Sequence, residues 1–223
     1  MLWLKLLHAL CWVYWLGADL GTFVAARSVA NPKLSAAQRA TAAKIMMAVD
    51  LAPRICMPLT LATGLHLAAL ATGLPLSAPV LAALWLMCLA WMVLAVFLHH
   101  SPRSATVDRV ARGDFIFRAL LAAGLAGVAA LGLSRGLPGL APFVAFKLLC
   151  FAATVVCGLA IRVHLRPFGA AFARLMSEAP QSVSLAQAHT VIAGAIKRCV
   201  PWVVLIWLLL LLSAAAGLHA LKL

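Results

Sequence analysis

The sequence predicts an all-α fold, a polytopic bundle of six transmembrane helices forming a single integral membrane domain over residues 1–223. Three observations carry this reading. Hydrophobic residues make up 65% of the chain and charged residues only 10%, and the mean hydropathy of +1.07 lies outside the range of soluble globular domains. Apolar runs long enough to cross a bilayer, roughly 20 residues each, fall near 3–26, 46–71, 78–98, 115–134, 141–163 and 200–220. Finally, the basic residues collect on alternate connections between those runs.

That third observation sets the expected topology. Segment 27–44 has Arg27, Lys33, Arg39 and Lys44 with no acid. Segment 99–118 has Arg103, Arg109, Arg112 and Arg118 against Asp108 and Asp114, and segment 162–198 has Arg162, Arg166, Arg174, Lys197 and Arg198 against Glu178. The intervening connections, 72–77 and 135–140, offer only Arg135. Positive charge is retained on the cytoplasmic side during insertion, so the pattern puts the three basic connections in the cytoplasm of a bacterial-type inner membrane and both termini on the periplasmic side. The net charge of +13 is then a record of topology and of contact with the lipid bilayer, and nucleic acid is not an expected partner.

Taken in order, the opening Met1-Leu2-Trp3-Leu4-Lys5 imitates a signal peptide, but its apolar run is too long and no clean small-residue cleavage site follows, so it reads as a retained first helix. Asn31-Pro32 breaks the chain after it, and Ser35 is placed to cap a helical extension into span 2. Pro53 and Pro58 predict a kink in that span. Leu74-Pro75 and Pro138-Gly139 read as tight outer turns. Span 4 is built of small residues (Ala122, Ala123, Gly124, Ala126, Gly127, Ala129, Ala130), which permits close helix packing. Pro167 to Ala188 predicts a short interfacial helix around Phe168, Phe172 and Leu175, and Pro201 is expected to open span 6.

Almost no chain remains for a soluble domain, so any chemistry must use intramembrane residues, the loops or a partner subunit. The six cysteines (11, 56, 88, 150, 157 and 199) have no C-x-x-C spacing and read as small core residues. No phosphate loop, Ser-His-Asp order, H-E-x-x-H motif or paired-carboxylate site appears. What stands out is a set of polar groups inside apolar spans: His8, Asp19, Asp50, Arg54, His66 and Lys147. A charge near the bilayer centre costs at least about 2.5–3.5 kcal/mol, so such residues pair, line a cavity or hold a ligand.

His8, Cys11 or Trp12, Trp15 and Asp19 repeat at helical spacing and share one face of span 1. Asp50 and Arg54 are four apart and can pair, while Arg54 also matches the carboxylates of a ligand such as a porphyrin propionate. His8, His66 and Lys147 each fall near the outer end of a span, so three nitrogen donors share one layer, and His219 lies at the same level. On an ideal helix His66 stands about 120° from Arg54. Imidazole suits iron, copper or zinc, whereas thiolate and thioether suit cuprous copper, which marks Met46, Met47, Met57 and Cys56 as copper candidates. His99-His100, His164 and His189 fall at the cytoplasmic boundary, where solvation explains them.

These residues resemble a known family. Leu7-His8, Trp15-Leu16-Gly17 and Arg27 look like the first helix of the HemJ-type protoporphyrinogen oxidases and the related CopD-type copper-resistance membrane proteins. Pro58 with Gly64-Leu65 and Leu67 resembles their second helix, Phe146-Lys147-Leu148-Leu149 their lysine-bearing helix, and Val200-Pro201 their last. The resemblance covers spans 1, 2, 5 and 6 and implies a four-helix haem-associated core, with functional polar residues mapping onto His8 and Lys147. The leading expectation is an inner-membrane haem b protein in electron transfer or porphyrin oxidation. His8 would be an axial ligand, with His66 or Lys147 opposite or nearby and Arg54 on a propionate, and a redox protein or a porphyrin would be its partner. The alternatives are CopD-type copper binding or transport through His, Met and Cys donors, and a non-catalytic assembly subunit working as a homo-oligomer or within a larger membrane complex.

Overall fold

The computed structural model describes residues 1–102, 104–177 and 182–221; Arg103 and Glu178 lie outside them. It is all-helical among these residues: α1 (Leu2–Ala30), α2 (Ala36–Thr72), α3 (Ala78–His100), α4 (Ala105–Arg135), α5 (Pro142–His164), α6 (Phe168–Leu175) and α7 (Ser182–Gly217). All but α6 are long and apolar enough to cross a membrane. Their large apolar side chains, such as Leu86, Val93, Leu120 and Leu208, are left exposed, as lipid-facing positions require.

The six long helices close a ring. α1 packs on α2, α2 on α3, α4 on α5, α5 on α7 and α7 on α1, while α3 and α4 touch most sparsely among these neighbours. Inside the ring a single core runs from Trp15 and Leu61 through Trp91 and Ala129 to Val155 and Leu210. Of the small residues in α4, Ala122, Ala129 and Gly132 are buried, and Gly132 meets Leu140 and Ala145 of the next hairpin. Gly124 and Gly127 have open space beside them, so only part of the small-residue stripe is used for packing.

Several boundaries differ from the sequence expectation, for one physical reason. α2 spans 37 residues and α7 36, about 55 Å each at 1.5 Å per residue, against a hydrocarbon core of about 30 Å. Hydropathy sees only the part in lipid. The charged starts of α2 and α7 are therefore helical, α4 begins at Ala105 rather than near 115, and the expected interfacial helix is α6 alone. Pro201 lies inside α7 instead of opening it, and Pro53 and Pro58 sit within a continuous α2. Ser35 caps α2 in a capping box, with its hydroxyl accepting from the Gln38 N–H at 3.3 Å and its own N–H donating to Gln38 Oε1 at 2.9 Å.

The protruding ends make a second core of Val29, Ala42, Ala43, Ala171, Leu175, Ile192 and Ile196, at the end of the bundle away from the chain termini. Arg39 is sealed into it at 1% exposure. Its Nε donates to the Val29 carbonyl at 2.7 Å, satisfying an orphan acceptor in the last turn of α1, and Nη1 meets Nδ1 of His189 at 2.6 Å. An arginine only donates, so that His189 nitrogen must accept and the ring must be neutral. Burial first, and then the Arg39 guanidinium, hold the His189 imidazole below its ordinary range. The folded state thus binds fewer protons here than the unfolded chain, so stability falls as pH drops from the unfolded imidazole value of about 6.5. Comparing thermal midpoints at pH 8 and pH 5.5, we expect the wild type to lose more than His189→Gln; equal losses would refute the link.

Candidate functional site

At the outer end of the α1–α2 pair, His8 Nδ1 lies 2.8 Å from the Thr63 hydroxyl. Thr63 is fully buried, and its single hydroxyl proton is directed at the Leu59 carbonyl of its own helix, 2.6 Å away. The hydroxyl must then accept from Nδ1–H, which fixes the neutral tautomer and leaves the Nε2 lone pair unused. Close approach at this point depends on Gly64, where an added Cβ would sit 3.0 Å from His8 Cε1.

Lys147 stands in the second turn of α5, at the end of the bundle that holds His8. Its Nζ packs against Gly217 at the outer end of α7, 3.0 Å from where a Cβ would be, and it makes no hydrogen bond or ion pair among the described residues. His219 follows this turn at a positive φ of 55° and stands edge-on to Phe143, centroids 4.9 Å apart. The structure therefore brings His8 and Lys147 to one end of the bundle.

It sends His66 and Arg54 elsewhere. The Trp85 indole N–H of α3 donates to His66 Nδ1 at 3.2 Å, so the neutral His66 ring carries its proton on Nε2 and presents no free lone pair. Arg54 directs Nε at 2.8 Å, and Nη2 as well, to one oxygen of Asp50. It lies nine residues before Thr63, about 13 Å along α2, toward the end of the bundle away from the chain termini. There it belongs with a group that was assigned from sequence to a loop. Asp114 of α4 is 2% exposed and accepts from Arg118 Nε, 3.0 Å to each carboxylate oxygen, and from Arg162 Nη1 of α5 at 2.8 Å. The Arg118 guanidinium lies over the Trp91 ring of α3, 5.0 Å from its centroid. The signal for this cluster was present in the chain: Asp114 and Arg118 repeat the four-residue spacing of Asp50 and Arg54. Asp19 points the other way, accepting from Trp207 Nε1 of α7 at 2.9 Å.

Of the soft donors, Cys11, Cys56 and Met57 are buried and Met47 is exposed. Cys11, one turn inward from His8, and Cys56 of α2 lie in the same buried core. Met46 packs on the second core, with Val29 and Ala43. His164 stacks on Trp202 and His100 bonds to its own helix at the Val96 carbonyl. Among the described residues no group of three or more His, Cys, Asp or Glu side chains is placed to hold a metal ion.

Fold and site together define a multi-pass helical membrane protein with two intramembrane polar layers, one outer and one inner. Compared with family models, with curated proteins and with solved structures, the chain matches none.

Proposed function

We propose that this chain is an inner-membrane haem b protein, working in electron transfer or porphyrin oxidation, with His8 as the axial ligand. The observation that carries the reading is the Nδ1–H to Thr63 bond, because a metal-binding histidine is oriented by the hydrogen bond of its other nitrogen. The donor set fits one axial bond: His66 is engaged with Trp85, and Arg54 is bound to Asp50 in the other half of the bundle. Haem held there would supply one-electron redox chemistry. Thr63 would hold the imidazole in its ligating tautomer, Lys147 would place a cation beside the site for a propionate, and the apolar ring would exclude water. Both termini outside and three basic connections inside follow from the charge pattern.

The test is the absorption spectrum of detergent-purified protein. We expect a Soret band that disappears in His8→Ala and shifts in redox midpoint in Thr63→Val. A wild type without the band, or a band indifferent to His8→Ala, would overturn the proposal. One observation favours a second reading: Cys11, Cys56 and Met57 are all buried in one core, with Cys11 one turn from His8, and thiol and thioether donors suit a cuprous ion. Stoichiometric copper without iron in a clean preparation would select it.

A further inference from the structure

The α1–α2 pair leaves a groove on its lipid-facing side, toward the end of the bundle away from the chain termini. A cavity of about 460 Å³ opens there, within the range of small-molecule clefts, about 300–1,000 Å³. Its floor is made of small residues, Gly21 and Ala25 of α1 and Ala42 of α2. Ala25 and Ala42 are buried, and Gly21 meets Val49 of α2, whose Cγ1 is 3.2 Å from where a Cβ would be. Leu20, Val24 and Ile45 stand beside this floor as walls, 42%, 63% and 52% exposed. Ser28 closes the end.

The depth of the groove in the bilayer follows from α1. Lys5 and Arg27 are both exposed and stand 22 residues apart, about 33 Å along the helix and close to the hydrocarbon thickness of about 30 Å. Arg27 therefore marks the headgroup level. From Leu20 to Ser28 the groove runs about 12 Å, against about 15 Å for one leaflet. Charge at its mouth has one sign. No acid occurs between Asp19 and Asp50, and those two bond to Trp207 and Arg54. Arg27, Lys33 and Lys44 are exposed and make no ion pair among the described residues. Arg27 lies three residues beyond Val24, on the same face of α1.

A cleft within a span is filled by the bilayer itself, since an empty one forfeits its dispersion contacts. All acyl chains are equally apolar, so the occupant is selected by fit and by its headgroup. We propose that the α1–α2 groove seats one acyl chain of an anionic phospholipid, with the phosphate at Arg27 and Ser28. Lys33 and Lys44 add positive potential at the same level, which favours a headgroup of net negative charge. The site lies at the opposite end of α1 from His8 and does not depend on the haem reading.

The experiment titrates the detergent-purified protein with phosphatidylglycerol and with phosphatidylcholine of the same acyl chains. It reads the thermal midpoint and, by native mass spectrometry, the lipids retained per chain. We expect one phosphatidylglycerol per chain at saturation and a raised midpoint, with phosphatidylcholine at least about fivefold weaker, the effect of one basic residue at a lipid surface. Arg27→Gln should lower that preference about fivefold, and Val24→Ala, at an exposed wall position, should weaken both lipids alike. Arg109→Gln removes another exposed arginine at the same end of the bundle and should leave the preference unchanged. No saturable retention, equal binding of the two lipids, equal effects of Arg27→Gln and Arg109→Gln, indifference to Val24→Ala, or a dimer that excludes the lipid would each overturn the proposal. His8→Ala should leave lipid binding intact, so failure of the haem reading and failure of this one are distinguishable.

Discussion

Asp114→Ala is expected to cost the folded bundle about 3–5 kcal/mol, because it removes the one carboxylate shared by Arg118 and Arg162 and leaves two guanidinium groups uncompensated. Denaturant titration in micelles, followed by helical circular dichroism, measures the loss. The converse experiment separates charge from packing. Replacing the group together, Asp114→Leu with Arg118→Met and Arg162→Met, should restore most of the stability, since apolar substitution of a whole buried ionic group is often neutral or favourable. A loss below about 1 kcal/mol for Asp114→Ala would mean that this cluster carries no structural charge balance.

The second large effect belongs to Gly139→Val in the outer turn before α5. Gly139 has φ of 72°, and a Cβ there would lie 2.5 Å from the Gly73 carbonyl oxygen and 2.8 Å from Leu74 Cα. The obstacle is backbone, so no rotamer change relieves it. A left-handed conformation costs a side-chain-bearing residue about 1–3 kcal/mol and the forced contact about as much again. We expect a combined loss of about 2–6 kcal/mol and separation of the two outer turns. Gly136→Ala, at a φ of 66° with no neighbour within 4 Å, isolates the conformational part; if both variants lose the same amount, the contact between the turns contributes nothing.

The sequence was most informative where hydrocarbon imposes a single solution. Six apolar runs became six long helices because every backbone polar group in lipid must bond within its own helix. The Asp50–Arg54 pair was legible for a similar reason, since four-residue spacing closes such a pair within one helix. Charge was misleading where it marked the end of lipid rather than the end of a helix: Arg39, Lys44 and Asp114 fall outside the hydropathy windows but inside the helices. Asp114 was therefore taken for a solvated loop acid although it is among the most buried groups in the chain. Facing was legible only in part. His8 and Lys147 were set at one level from their depth, but depth does not say which neighbour a ring meets, and His66 meets Trp85. Thr63 had no distinguishing signal, being an ordinary helix hydroxyl until His8 is placed against it.

The unbroken length of α2 ties these sites mechanically. One rod carries Arg39 outside the membrane, Asp50 and Arg54 in the inner half, and Thr63 and Gly64 against His8. Pro53 and Pro58 lie between these ends, and each removes one intrahelical hydrogen bond, so the helix is most easily bent between Arg39 and Thr63. Bending at these prolines changes the tilt of the Thr63–Gly64 segment against His8 relative to the Arg39 end of the same helix, about 35 Å away.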